Sequence, residues 1–377
     1  MTGAHRIVIL GAGYAGLAAA RQAARAEGAK VTVVDARAEF VDRVRLHQAL
    51  AGQQVRRTDL RKSLERKGIE FIQARVGRID AAGRRIELAA VDAAPGTASH
   101  QPGWVLGYDT LVYALGSRGD RSAVPGAGEF AYSVATPEDL ARVPELTGTV
   151  AVVGGGATGI EVAAELAESR PDLEVALVSA DEPGGWLSAA ARDHIRATFD
   201  RLGVRVHSDA KVESVTAAGL ELAGGERIEA GIVLWCTGFA VPQVAIRSGL
   251  AVDAHGRVLV DDKLRSRSHP AVYAVGDCAV MAGPDGRALR MACATALPAG
   301  KYVGKSIVSR LRGREPRAHS YGYVLQCISL GRRDAVVQRV RADDSPTDRV
   351  FTGRPAVWIK EGIVRGVGGA ARLSPLT

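Results

Sequence analysis

Short apolar runs recur along the chain, and several of them stop abruptly at glycine. The first covers residues 7–10 and ends at Gly11-Ala12-Gly13-Tyr14-Ala15-Gly16. A continuous apolar run bounded by a turn signal predicts a strand buried on both faces. The alanine-rich stretch that follows predicts a helix, and residues 31–34, ending in Asp35, predict a second strand. The same order returns at 149–153, with glycines at 154, 156 and 159, a helix to about Ser169 that Pro171 stops, and a strand over 173–178. Between the two copies the pattern predicts a helix over 60–67, a strand over 69–73, a hairpin excursion over 76–106 turning at Gly83, and an apolar strand over 108–117. Residues 125–144 read as a linker with a short helix. Beyond the second copy come helical spacing over 190–202, a strand over 204–207, another hairpin excursion, an apolar strand over 232–238, a strand meeting Gly276-Asp277, and a helix over about 292–312. Residues 321–377 read as short strands and glycine turns, a small antiparallel β unit that ends without an amphipathic helix.

The glycine turns carry chemistry. Gly11 permits the tight turn out of the strand, Gly13 lets a pyrophosphate approach the backbone, and Gly16 lets helix and strand pack closely. The helix start then offers free N–H groups and a partial positive charge to phosphates. Asp35, at the end of the second strand, is placed to accept from a ribose. Two such units imply two dinucleotides, and two dinucleotides in one chain imply electron transfer between a held flavin and a diffusible nicotinamide. The fold class expected is α/β, with two Rossmann-like dinucleotide-binding domains, the second inserted into the first, plus a small C-terminal α+β domain. The expected boundaries are 1–120 and 245–315 for an FAD-binding domain, 121–244 for an NAD(P)H-binding domain and 316–377 for the C-terminal domain.

Composition narrows the setting. Of 377 residues, 47% are hydrophobic and 24% charged, as in ordinary globular proteins. The net charge of +8 suits anionic ligands, but no basic run is interleaved with aromatics, so nucleic acid is not indicated. The four cysteines (Cys236, Cys278, Cys293, Cys327) have no metal-ligand spacing, so no metal is expected. Scattered thiols, and a first strand that begins within a few residues of the N-terminus, point to a cytoplasmic protein. No apolar run approaches a membrane span.

The motifs together resemble the two-dinucleotide-binding-domain flavoproteins, the pyridine nucleotide–disulphide oxidoreductase superfamily, over nearly the whole chain. They are the run from Gly11 to Gly16; Leu111-Val112-Tyr113-Ala114-Leu115-Gly116-Ser117, with Leu115 where threonine is usual; Gly154 to Glu161; Leu234-Trp235-Cys236-Thr237-Gly238; and Val272 to Ala279. The resemblance implies that Gly11, Gly13, Ala15, Gly16, Asp35, Ala36, Arg37, Arg43, Val76, Ala114, Leu115, Gly116, Gly276, Asp277 and Ala294 surround FAD. Within that set Asp277 takes the ribityl chain, Arg37 and the Val76 backbone lie by the adenine, and the helix start at Cys293 and Ala294 faces the flavin ring. Gly154, Gly156, Thr158, Gly159, Glu161 and Ser179 are implied around NADH or NADPH, and the loops at Gly116 and Gly238 near the pyrophosphate or ring regions. Residues 40–53 hold no cysteine, which excludes thiol redox chemistry there. What remains is similar to type II NADH dehydrogenases and to the apoptosis-inducing-factor-like and ferroptosis-suppressor-like quinone reductases.

Several expectations follow. Function is an FAD-dependent NAD(P)H oxidoreductase that passes electrons to a quinone-like or other small organic acceptor. A flavin-dependent oxidase or dehydrogenase acting on an organic substrate with oxygen, kept open by the neutral Ser179, and a non-catalytic FAD-bound partner protein, whose basic surface docks something acidic, stay as alternatives. Asp181 tilts the second site to NADH, with Arg192 a loop away. His47, beside Arg43 and Arg45, is the candidate catalytic group, stabilising a reduced ring or passing a proton to the acceptor. Trp235 and Trp358 either border the flavin or sit in the core. Without a C-terminal amphipathic segment, a permanent membrane anchor is not expected, nor a membrane quinone; a homodimer stays open.

Overall fold

The computed structural model describes residues 3–91 and 103–371. The predicted loop tip at 92–102 lies outside the described residues. Two five-stranded parallel sheets form the frame. In the first, the strand His5–Leu10 lies between Thr110–Tyr113 and Ala29–Asp35, with Val272–Ala274 and Glu70–Gln73 at the edges. In the second, Thr149–Val153 lies between Ile232–Trp235 and Glu174–Val178, with Ala131–Ser133 and Arg205–His207 at the edges. The predicted linker over 125–144 therefore contributes an edge strand as well as short helices. The strand that returns to the first sheet follows the whole of the second, so the second unit is inserted into the first.

The repeat is exact in hydrogen bonding. Gly11 N donates to Val34 O and Gly154 N to Val178 O, each at 2.8 Å. Next door, Ala114 N donates to Leu10 O at 2.8 Å, and Cys236 N to Val153 O at 2.9 Å. The helices Tyr14–Ala23 and Ala157–Ser169 then pack so closely that a Cβ on Gly16 would lie 1.8 Å from Gly11 O. A Cβ on Gly159 would lie 1.8 Å from Gly154 O. The long helix Cys293–Leu311 crosses Tyr14–Ala23 through glycine as well: a Cβ on Gly300 would sit 2.1 Å from Ala15 O, and one on Gly304 2.4 Å from Ala19 O. Glycines Gly116 and Gly238, at positive φ, turn the chain into a short antiparallel ribbon, Arg118–Gly119 with Phe239–Ala240, that links the two units. The excursions fold as the three-stranded sheets Arg75–Asp80, Arg85–Ala89, Trp104–Gly107 and Val212–Thr216, Gly219–Leu222, Arg227–Glu229.

The C-terminal unit corrects one expectation. Its three antiparallel strands, Leu325–Ser329, Ala335–Val340 and Pro346–Thr352, run into the helix Gly353–Ala371. That helix is amphipathic: Ala356 packs with Ala335 and Val337, while Arg354, Trp358, Gly362 and Arg365 face outward. Glycine and Pro355 disguise it, because each has poor helix propensity. Sheet packing supplies what propensity lacks. Trp358, 73% exposed, is neither core nor flavin wall. This amphipathic helix removes the ground on which a membrane anchor was not expected; no helix among the described residues is long and apolar enough to cross a membrane.

Side chains clamp this unit onto the inserted one. Asp334 takes His194 Nε2 at 2.9 Å, Arg201 at 3.3 Å and the Gly353 N–H at 2.9 Å. The buried Gln338 amide accepts from the Ser188 hydroxyl at 2.6 Å and donates to Thr347 O at 2.6 Å.

The glycine contacts predict unequal outcomes for one substitution. In nucleotide-free protein, Gly16→Ala should lower unfolding free energy by about 1–3 kcal/mol, the usual cost of overpacking. Gly13→Ala, whose Cβ would meet nothing within 4 Å, should change it by under about 0.5 kcal/mol. Urea titration of both variants checks the contrast, and equal losses would refute it.

Candidate functional site

Three helix N-termini supply the binding chemistry. The helices starting at Tyr14, Ala157 and Cys293 have Gly13, Gly156 and Ala292 as N-caps, and none carries a side-chain cap. Their first N–H groups are left for an outside acceptor. At Gly13 and Gly156 a Cβ would meet nothing within 4 Å, so each turn opens onto space rather than protein.

The first cleft gathers seven of the fifteen residues predicted around FAD. Gly13, Ala15, Arg43, Ala114, Gly116, Gly276 and Asp277 line it, together with His47. Ser117 Oγ donates to Asp277 Oδ2 at 2.6 Å, and Arg43 lies 3.7 Å from the same oxygen while donating to Ser117 O at 3.0 Å. Cys293 and Ala296 line the cleft from the long helix, and Met291 from the segment just before it. Ala294 sits in that helix's first turn but not in the wall. Asp35 orders the glycine turn, accepting from Ala12 N at 2.7 Å and Arg37 N at 2.8 Å. Gly11 and Gly16 act through packing. Val76 and Leu115 place their side chains against the core. Ala36 and Arg37 line a separate surface groove, where Arg37 pairs with Glu138 at 2.7 Å, a carboxyl held down at about 2 by that hydrogen bond.

The second cleft is lined by Gly154, Gly156, Ser179, Asp181, Glu182 and Lys211. Trp235 and Gly238 belong to both clefts, so the two share a wall. Thr158 and Glu161, from the second glycine helix, reach into the first cleft. Gly159 is the packing glycine. Arg192, a loop away in the sequence, folds back together with Arg196: Arg192 Nε lies 2.9 Å and Arg196 2.5 Å from the Glu182 carboxylate.

Beside that wall lies a buried charged cluster. Glu161 pairs with Lys360 of the C-terminal helix and accepts from Ser329 N at 3.1 Å. Burial alone would raise its pKa, but Lys360, His47 and the Ser329 N–H outweigh it and hold the carboxyl below its ordinary range. His47 is 5% exposed, with Nδ1 3.8 Å from Glu161 Oε2. Burial, against the pull of Glu161 and with help from Lys360, Arg332 and Arg45, lowers the imidazole from 6.5 to about 4. It is neutral at pH 7. Arg45 and Arg332 also meet Glu361, at 2.8 and 3.2 Å.

Sequence reasoning missed Lys360, Glu165 and Ser117. The spacing of Glu161 and Glu165 places both on one helix face, a signal visible in the sequence. Lys360 carried none, because its helix was read as turns. The four cysteines are free, and burial raises their pKa values to about 11 or 12, so they remain thiols. No group of three potential metal ligands occurs among the described residues.

Comparison with known proteins follows the same lines. Residues 5–300 match the family described as pyridine nucleotide-disulphide oxidoreductase. An NADH dehydrogenase-like protein of Mycobacterium tuberculosis is 31% identical over 360 residues, covering 88% of this chain and 87% of that protein. Ferroptosis suppressor protein 1 of Homo sapiens is 27% identical over 360 residues, covering 89% of each chain. The structure of NDH2 from Plasmodium falciparum in complex with NADH superposes with a TM-score of 0.81 at 15% identity, covering 98% of this chain and 96% of that one. Paired glycine cradles, a shared wall and these matches have one meaning: the chain belongs to the pyridine nucleotide-disulphide oxidoreductase family.

Proposed function

We propose that the chain is an FAD-dependent oxidoreductase that takes hydride from NADH and delivers the electron pair to a small quinone-like acceptor. The observation that carries this reading is the common wall: two cradles for phosphate meet at Trp235 and Gly238, close enough for one ligand's ring to face the other's. The first cleft fits FAD. Its open Gly13 turn and uncapped helix suit a pyrophosphate, and Asp277 suits a polyhydroxyl chain. The uncapped start of Cys293–Leu311 offers N–H donors to an electron-rich ring. Bound FAD supplies the hydride acceptor and then the electron source. The protein holds the two ligands, excludes water and manages the proton. Glu161, kept ionised beside Lys360, presents negative charge where a nicotinamide gains positive charge. Neutral His47 can take and release a proton at Nδ1. Four free thiols suit a reducing cytoplasm. The relative named as an NADH dehydrogenase-like protein supports NADH as the donor, and a relative named as an alternative NAD(P)H-ubiquinone oxidoreductase supports the acceptor class.

Preference for NADH rests on charge. Asp181 adds a carboxylate at the end of the strand Glu174–Val178, and Glu182 occupies both arginines that would otherwise grip a 2′-phosphate.

Two outcomes are expected. The purified protein should be yellow, and anaerobic NADH should bleach it faster than NADPH, with colour restored by a soluble quinone. Stopped-flow absorbance checks this, and a protein that stays colourless after incubation with FAD would sink the proposal. In Glu182→Gln the freed guanidiniums should raise kcat/KM for NADPH relative to NADH by about tenfold, equivalent to about 1.4 kcal/mol. An unchanged ratio from steady-state kinetics would show that Glu182 does not set the preference.

A further inference from the structure

Two buried polar atoms face each other across the seam between the two dinucleotide units. His47 Nε2, on the short helix Leu46–Leu50, lies 3.8 Å from Glu165 Oε2, on the helix Ala157–Ser169. Neither atom has a hydrogen-bond partner among the described residues, and Glu165 is 0% exposed. The separation is too long for a direct hydrogen bond and short enough for one after a small side-chain rotation. Buried polar atoms left unpaired are costly, so the pair needs a reason to persist. The other Glu165 oxygen is satisfied: Oε1 accepts from the Gln53 amide, and from the Ser169 hydroxyl at 3.3 Å. Ser169 is only partly buried.

The proposed reaction leaves a proton unaccounted for. NADH gives one hydride, and a two-electron acceptor takes up two hydrogens. The balance is NADH + H⁺ + acceptor → NAD⁺ + reduced acceptor carrying two hydrogens, so one proton per turnover comes from solvent into a closed site. We propose that Glu165 is the buried donor of that proton, passing it through His47 to the acceptor end of the first cleft. The relay rests on the oxidoreductase reading above. In it the Glu165 O–H bond breaks as the His47 Nε2–H bond forms. His47 then releases its Nδ1 proton to Glu161 Oε2, 3.8 Å away at the cleft wall; that O–H bond breaks as the acceptor gains the proton, which leaves Glu161 ionised again, and a flip of the imidazole ring returns its remaining N–H to the Nδ1 position. Ser169 returns a proton to Glu165 Oε1 and recovers its own from water.

The surroundings hold the relay in its resting state. Burial, opposed by Gln53, Arg332 and Ser169 and aided by Glu168, raises the Glu165 pKa, which favours the acid form. Around His47 stand Glu161 on the same helix as Glu165, Lys360 on the C-terminal helix, Arg332 on the loop before Ala335–Val340, and Arg45 on its own segment. Burial, helped by three cations against one carboxylate, keeps the imidazole neutral, so it carries a second proton only in transit. The sign of the linkage is fixed. A carboxyl whose folded pKa is raised contributes stability that is lost as pH rises through that value. An imidazole whose folded pKa is lowered contributes stability that is lost as pH falls from 6.5 toward about 4.

Infrared spectroscopy of the flavin-loaded protein at neutral pH tests the donor directly. Wild type should show the carbonyl stretch of a buried protonated carboxyl, shifted in D₂O, and Glu165→Gln should lack it. Glutamine closely matches a protonated glutamic acid in shape, so the variant should fold. With saturating NADH and quinone, Glu165→Gln should turn over at least tenfold more slowly and lose the wild-type alkaline limb of the pH profile. Anaerobic bleaching by NADH should stay within twofold. His47→Gln should lose the same factor while keeping the infrared band, and the double variant should lose no more. Absence of the band in wild type, or a Glu165→Gln pH profile that overlays wild type, overturns the proposal. If NADH bleaches neither protein, the oxidoreductase reading fails, and the band alone still decides whether Glu165 holds a proton.

Discussion

The structure depends on a close approach of helix to strand, made twice. In each dinucleotide unit a helix comes so near its preceding strand that any side chain on Gly16 or Gly159 would run into a carbonyl oxygen. That approach fixes where the helix starts and aims its unpaired N–H groups at the turn. A helix standing farther off would still bury its alanines, but would not present donors at a phosphate's distance. Glycine at Gly300 and Gly304 repeats the device, bringing a third helix start to the same cleft.

Around these cradles the chain invests buried charge. Lys360 and Glu161 meet out of water, with His47, Arg45, Arg332 and Glu361 nearby. Buried ion pairs seldom add stability over apolar packing, because desolvation offsets the attraction. Their presence here is better understood through function, since each group is tuned: the glutamate is held ionised and the histidine neutral. The cluster draws on the first unit, the inserted unit and the C-terminal helix, so the site is complete only when all three are docked. Asp334 and Gln338 bind the inserted unit to the C-terminal sheet, and Asp334 also holds the start of the helix that carries Lys360.

This NAD(P)H-dependent oxidoreductase runs without the thiols for which its family is named. Cys278 is buried and the other three cysteines are half-buried, burial raises the pKa of every thiol, and the segment after Asp35 that could have carried a redox pair instead carries Arg43, Arg45 and His47. Exchange of a thiol for an imidazole changes what the segment can do: a thiolate attacks or transfers electrons, whereas a neutral imidazole moves protons. Such a site suits an acceptor that needs a proton along with its electrons.

By itself the sequence determined the two strand–turn–helix units, the insertion, the strand ends at Gly116, Gly238 and Asp277, and the absence of metal-ligand spacing, because local backbone geometry demands glycine at fixed offsets whatever the rest of the chain does. It could not determine what long-range docking decides. The C-terminal helix is rich in glycine and stands only because a sheet lies against it. Arg192 and Arg196 become neighbours of Glu182 only once the loop between them closes. Lys360 meets Glu161, and Glu165 meets His47, across units far apart in the chain. A side chain's charge state depends on the burial and the company that folding gives it, and neither is written in the order of the residues.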